Sequence, residues 1–269
     1  MNDSDVVSLP LDLWDWSLTL GGWQPQDLQK HLFCSLYAHL LAGNQRLNLT
    51  RITAPVDFWE KHLWDSLVGI VPWLPQDERS QAASEFKPEL CSWALPDPLC
   101  VIDIGTGGGF PGLPVAIVRP DWQVSLLDST RKKMVFLESL VQRLGLPNVR
   151  LRCDRAETLG QSPQFRQTFD LALIRAVGSA RCCAEYSLPL LKVGGIAVLY
   201  RGEWHPEDTL ALDSALRLLG GELLQVQAVT TPLTQSQRHL VYLRKAEPTR
   251  LDYPRPVGVP ARHPLGTGA

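Results

Sequence analysis

The chain has 269 residues, 45% apolar and 20% charged, with a formal net charge of −2. That balance excludes a chain disordered along its length, and no uninterrupted apolar run is long enough to cross a bilayer. The opening Met1–Asp5 is acidic and lacks the basic region of a secretory signal, so we expect a cytoplasmic protein, and we take it as a monomer.

The near-neutral total hides a polarity. Residues 1–100 carry 6 basic and 13 acidic side chains, whereas residues 130–201 carry 12 and 5, and residues 238–269 carry six and two. A basic half can hold a polyanion; it can equally be a set of solvated helix faces. The six cysteines form no C-x-x-C pair, and no His spacing suggests a metal site. They read as reduced, mostly buried thiols, with Cys182 and Cys183 facing the core of a helix.

In chain order, residues 1–24 form an arm whose Trp14, Trp16 and Trp23 must pack somewhere. Leu28, Leu32, Leu36 and Leu40 recur at helical spacing, predicting a helix over 26–42 that stops at Gly43. A second helix is predicted from Val56 to Trp73, after Pro55. Four prolines make residues 75–98 an irregular connection.

Strands and helices then alternate. Strands are predicted at Cys100–Ile104, Gln123–Asp128, Val149–Cys153, Phe169–Ile174 and Ile196–Tyr200. Helices are predicted to open near Pro111 and to run over Thr130–Gly145, Ser179–Leu191 and Pro206–Leu219, with a turn at Gly194-Gly195. Leu223–Val229 and His239–Arg244 have no helix between them and can pair antiparallel. The fold class is α/β, a Rossmann-like doubly wound sheet closed by a C-terminal hairpin and preceded by helices. We divide the chain into an N-terminal arm with helices (1–98), a core (99–246) and a basic tail (247–269).

Residues 101–112, Val-Ile-Asp-Ile-Gly-Thr-Gly-Gly-Gly-Phe-Pro-Gly, carry the strongest chemical signal. A strand runs into a glycine turn and a helix, which brings backbone N–H groups against a nucleotide-like ligand. The run also satisfies G-x-G-x-x-G, the dinucleotide pattern. Asp103 tips the balance, because a carboxylate there repels a pyrophosphate and suits the ammonium of S-adenosylmethionine. Asp128 ends the next strand, where an acid can accept both ribose hydroxyls or simply cap the following helix. Ala156 and Glu157 follow the third strand, where an adenine edge lies in such folds; by composition alone this turn is a solvated surface cluster. Arg175 follows an apolar strand and would line the crevice.

Several blocks occur in order: Leu47-Asn48-Leu49-Thr50, His62-Leu63-Trp64-Asp65-Ser66-Leu67, Asp103 to Gly112, Asp128-Ser129-Thr130-Arg131-Lys132-Lys133, Arg155-Ala156-Glu157, Arg175-Ala176-Val177 and Tyr253-Pro254-Arg255. Over about residues 45–265 this series resembles the bacterial small-subunit ribosomal RNA methyltransferase G family, also called glucose-inhibited division protein B. The resemblance implies a class I methyltransferase that transfers a methyl group from S-adenosylmethionine to N7 of a guanine in 16S ribosomal RNA. It implies cofactor contacts at Gly105, Phe110, Asp128, Ser129, Thr130, Ala156, Glu157 and Arg175, and 16S RNA or the small ribosomal subunit as partner. No residue is assigned to catalysis. Two departures stand out: Tyr200-Arg201-Gly202 where the family often has Lys-Gly, and a longer connection at 75–98. Two alternatives remain: a non-catalytic RNA- or ribosome-binding protein on the same fold, which would not need the glycine turn and ribose acid, and a small-molecule methyltransferase, which would not need the basic half.

Overall fold

The computed structural model describes residues 9, 14, 16, 19–75 and 93–266. Most of the proline-rich connection therefore lies outside the described residues, as does the end of the tail. Seven strands form one sheet: β1 (Cys100–Ile104), β2 (Gln123–Leu127), β3 (Val149–Arg152), β4 (Phe169–Arg175), β5 (Leu191–Arg201), β6 (Gly221–Thr230) and β7 (Gln237–Lys245). Their order is β3-β2-β1-β4-β5-β7-β6. The first five are parallel, and β7 pairs antiparallel with both β5 and β6. The order reverses between β1 and β4, which makes the crevice beyond their carboxyl ends the ligand site of such a sheet.

Both faces of the sheet are covered, as the near-continuous apolar runs of β1 and β4 require. One face packs helices α4 (Gly112–Val118) and α5 (Arg131–Leu144) together with the N-terminal helices. The other packs α6 (Ala156–Gln161), α7 (Ala180–Ser187) and α8 (Pro206–Leu219). The N-terminal helices share their apolar core with the sheet rather than forming their own. Trp14, Trp16 and Trp23 do pack: Trp16 is fully buried, its ring 5.6 Å from Trp23 and from Trp59, and 5.8 Å from Phe33.

Three local expectations are corrected. Helix α1 (Asp27–Leu47) runs through Gly43 and ends at Asn48, which takes a left-handed φ of 47°. Gly43 serves a contact instead, since a Cβ there would overlap the Phe136 ring of α5. The second helix is broken into α2 (Pro55–Phe58), a π-helical segment (Trp59–Trp64) and α3 (Asp65–Val68), followed by a 3₁₀ turn at Val71–Trp73. Five of the six π residues are buried, polar Glu60 and His62 among them, so this stretch is enclosed on all sides. Finally, Gly194-Gly195 lies inside β5 rather than in a turn, beside an irregularity in the β4–β5 pairing.

The basic tail is docked. Arg166 donates to the carbonyls of Gly160, Thr249, Arg250 and Tyr253, and Arg181 donates to Leu265 O. A short helix, α9 (Val259–Arg262), closes the described chain.

Candidate functional site

The β1 end is built around two glycines. Gly105 turns the chain at φ +75°, and its N–H and that of Thr106 both donate to Leu127 O on β2, at 2.8 and 3.0 Å. A Cβ on Gly105 would stand 2.5 Å from Val177 Cγ2. At Gly112 the start of α4 comes so close to β1 that a Cβ would lie 2.8 Å from Asp103 Oδ2.

That closeness defines the ligand chemistry. Asp103 Oδ2 accepts from Gly112 N at 2.8 Å and from Thr106 Oγ1 at 2.6 Å. The protein's own carboxylate therefore occupies the helix start, where a dinucleotide domain holds its pyrophosphate. Asp103 is fully buried, and among the described residues its Oδ1 has no hydrogen-bond partner. Burial pushes its pKa up to about 6, against the opposing hydrogen bonds and the nearby Arg175 charge. A buried carboxylate with one unpartnered oxygen suits a cationic ligand group.

A cavity of about 190 Å³ lies beyond the ends of β1, β2 and β3. Gly105, Asp128, Ser129, Ala156 and Glu157 all line it, so five of the eight predicted contacts meet in one place. Asp128 Oδ2 accepts from Gly107 N at 3.0 Å and Oδ1 from Thr130 N at 2.8 Å. It thus ties the glycine loop to the start of α5, and each oxygen keeps lone-pair capacity for a ribose hydroxyl. Thr130 caps α5 by position and does not line the cavity. Glu157 is buried, and its Oε1 accepts from Tyr186 Oη at 3.2 Å and from Gly258 N at 2.8 Å. Tyr186 also lines the cavity, and sequence reasoning missed it because only the fold brings α7 to α6.

Phe110 and Arg175 face elsewhere. The Phe110 ring stacks on His62, 4.2 Å between centroids, and meets Phe58 edge-on. Arg175 donates to Asp65 Oδ2 at 2.6 Å, to Lys61 O at 2.9 Å and to His62 Nδ1 at 3.2 Å. Because arginine only donates, His62 Nδ1 is the acceptor and Nε2 carries the proton, donated to Thr50 Oγ1 at 2.8 Å. Burial, reinforced by the Arg175 charge, lowers the His62 pKa to about 3, so the ring is neutral at ordinary pH. The blocks around Thr50, His62 and Asp65 are thereby joined to the end of β4. Glu60 completes the anchorage by accepting from Leu233 N, Thr234 N and Thr234 Oγ1 in the β6–β7 turn.

A doubly wound sheet with a reversed last strand, whose glycine turn is filled by an acid rather than left open for phosphate, is that of a class I methyltransferase using S-adenosylmethionine. The comparison with known proteins makes this specific. Residues 92–241 match the family GidB, rRNA small subunit methyltransferase G. A ribosomal RNA small subunit methyltransferase G from Trichormus variabilis is 52% identical over 250 residues, covering 93% of this chain and 96% of that protein. Its namesake from Synechococcus elongatus is 50% identical over 256 residues, covering 95% and 98%. One from Gloeobacter violaceus is 49% identical over 245 residues, covering 91% and 90%. The chain belongs to the rRNA small subunit methyltransferase G family.

Proposed function

We propose that the chain transfers a methyl group from S-adenosylmethionine to N7 of a guanine in 16S ribosomal RNA, acting as a cytoplasmic monomer. The observation that carries the cofactor half is the pairing of buried Asp103, with its unpartnered oxygen, and the cavity between Gly105, Asp128 and Glu157. Asp128 and Ser129 would hold the ribose, and Ala156 and Glu157 the adenine edge. Asp103 would face the amino-acid end, with Thr130, Phe110 and Arg175 bordering it. Arg175 is near enough to Asp103 to act on its charge, which supports that grouping.

The cofactor supplies an electrophilic methyl group when bound. Guanine N7 is a lone-pair acceptor on the base edge and carries no proton. The protein therefore needs no general base; it must hold the base in line and keep water out.

The test is label transfer. Purified protein with methyl-labelled S-adenosylmethionine should label 16S RNA in small subunits lacking the modification. Cofactor binding without any transfer to that RNA would overturn the reading.

A further inference from the structure

Helices α1 and α5 touch where the Phe136 ring lies over Gly43. Beside that contact they leave an open groove of about 930 Å³. Its floor is apolar, with Leu47, Val135, Phe136 and Leu140 among the lining, and Val135 is 58% exposed. Its rim carries Arg46 from α1 and Arg131, Lys132 and Arg143 from α5, with His39 nearby and no acidic side chain among the described residues.

These four cations differ from most others in the protein. Arg119, Arg175 and Arg255 are each engaged by carboxylates, and Arg166 by four carbonyls. The side chains of Arg46, Arg131, Lys132 and Arg143 have no ion pair or hydrogen bond among the described residues. Lys133, the next residue along, approaches Asp128 at 3.9 Å instead. Arg131 and Lys132 also open α5, where a cation opposes the helix dipole. Four like charges without counter-charge cost the fold self-repulsion, and a polyanion relieves it.

The floor narrows the choice of polyanion. A duplex offers a protein surface mainly phosphates and sugar hydroxyls, and gains little from an apolar floor. Unpaired RNA can splay its bases onto apolar and aromatic side chains while its phosphates meet cations. The groove also starts where the cofactor site ends, because α5 follows Asp128-Ser129-Thr130 directly.

We propose that the groove between α1 and α5 binds an unpaired stretch of RNA, with phosphates on Arg46, Arg131, Lys132 and Arg143 and bases against Val135 and Phe136. This rests on the reading of the chain as an RNA methyltransferase and names the surface that would hold the strand beside the reacting base.

The test uses the full chain carrying Arg46→Glu and Arg143→Glu, two residues away from the cofactor cavity. Binding of a fluorescent single-stranded RNA and of its duplex is measured by anisotropy at several salt concentrations. The parent should prefer the single strand. The double variant should bind it at least about tenfold more weakly, with a salt slope shallower by about 1.4, the contribution of two phosphate contacts to single strands. Cofactor affinity and melting temperature should match the parent; should the reversed charges prevent folding, Arg46→Ser with Arg143→Ser is read in the same way. Parental affinity and slope in the variant would overturn the proposal, as would a parent that binds duplex as tightly as single strand. Loss of activity on intact subunits with naked RNA binding unchanged would overturn it in favour of a ribosomal protein as the occupant. A parent that methylates no RNA, yet loses RNA binding on substitution, would instead remove the functional reading and leave the groove.

Discussion

The backbone N–H of Gly258 donates to Glu157 Oε1 at 2.8 Å, joining the tail to the wall of the cavity beyond β1, β2 and β3 across 101 residues of sequence. The tail is held there by Arg255, whose side chain grips Glu185 at 2.9 and 2.7 Å while its backbone N–H donates to the same carboxylate at 2.8 Å. Glu185 is fully buried. The late Tyr253-Pro254-Arg255 block is therefore tied to the same corner of the fold as Glu157, although it follows the last strand.

Arg255→Ala should leave the Glu185 carboxylate buried without its counter-charge, held only by the backbone N–H of residue 255. Breaking such a pair costs about 3–5 kcal/mol. We expect a lower melting temperature and weaker cofactor binding, with Glu157 losing its Gly258 partner. Unchanged melting and unchanged affinity would mean that the tail is a passive appendage.

Asp128→Ala should weaken S-adenosylmethionine by about 1–3 kcal/mol, the cost of losing charge-assisted hydrogen bonds in a buried site. Some of that loss arises before the ligand arrives, because Asp128 also holds Gly107 N and Thr130 N. Asp128→Asn keeps one acceptor oxygen and should fall between parent and alanine variant in calorimetry. Equal dissociation constants for all three would reduce Asp128 to a helix cap.

Asp103 predicts a pH dependence with two opposite signs. Its folded pKa of about 6 stands above the ordinary 3.8, so the folded chain binds the extra proton between those values. Its contribution to stability is full below about pH 4 and is lost as pH rises through about 6. Binding of the ligand's ammonium favours the ionised carboxylate, so cofactor affinity should rise over that same interval. Asp103→Asn should flatten both profiles. A parental affinity that does not change between pH 5 and 7 would remove Asp103 from the cofactor site.

Arg175→Ala should detach the end of β4 from the N-terminal helices. Among the described residues Asp65 would keep only the Arg238 ion pair, at 3.8 Å, and His62 Nδ1 would lose its donor. We expect destabilisation on the order of 3 kcal/mol, because the pair is largely buried. His62 should also become easier to protonate, its pKa rising from about 3, which ring-proton NMR reads directly. A variant as stable as the parent, with His62 unmoved, would show that the link carries no load.

The sheet was largely legible in the sequence. Val101, Ile102 and Ile104 form an apolar run ended by glycine, and β1 has the bounds that this pattern predicts. That Gly105, Asp128, Ala156 and Glu157 would come together was legible because they stand at strand ends, which one sheet brings to one edge. Gly43 was misread because a helix stop and a helix–helix contact both favour glycine, and only the position of Phe136 separates them. The surroundings of Phe110 and Arg175 were hidden for a related reason. Their neighbours, His62 and Asp65, lie more than 40 residues earlier in the chain, in a π-helical segment and at the start of the helix that follows it. The same long reach explains Tyr186 and Gly258. Gly105 also carries more than ligand clearance: Val177 crowds it, so Gly105→Val would distort the turn as well as block the cofactor.

The most direct measurement of the central claim maps the methyl group. Small subunits lacking the modification are incubated with the protein and S-adenosylmethionine, and the 16S RNA is then treated with borohydride and aniline, which cleave at N7-methylguanine. The account predicts strand scission at a single new guanine, present with the parent and strongly reduced with Asp128→Ala. Methyl incorporation without scission, or scission that does not depend on the protein, would contradict it.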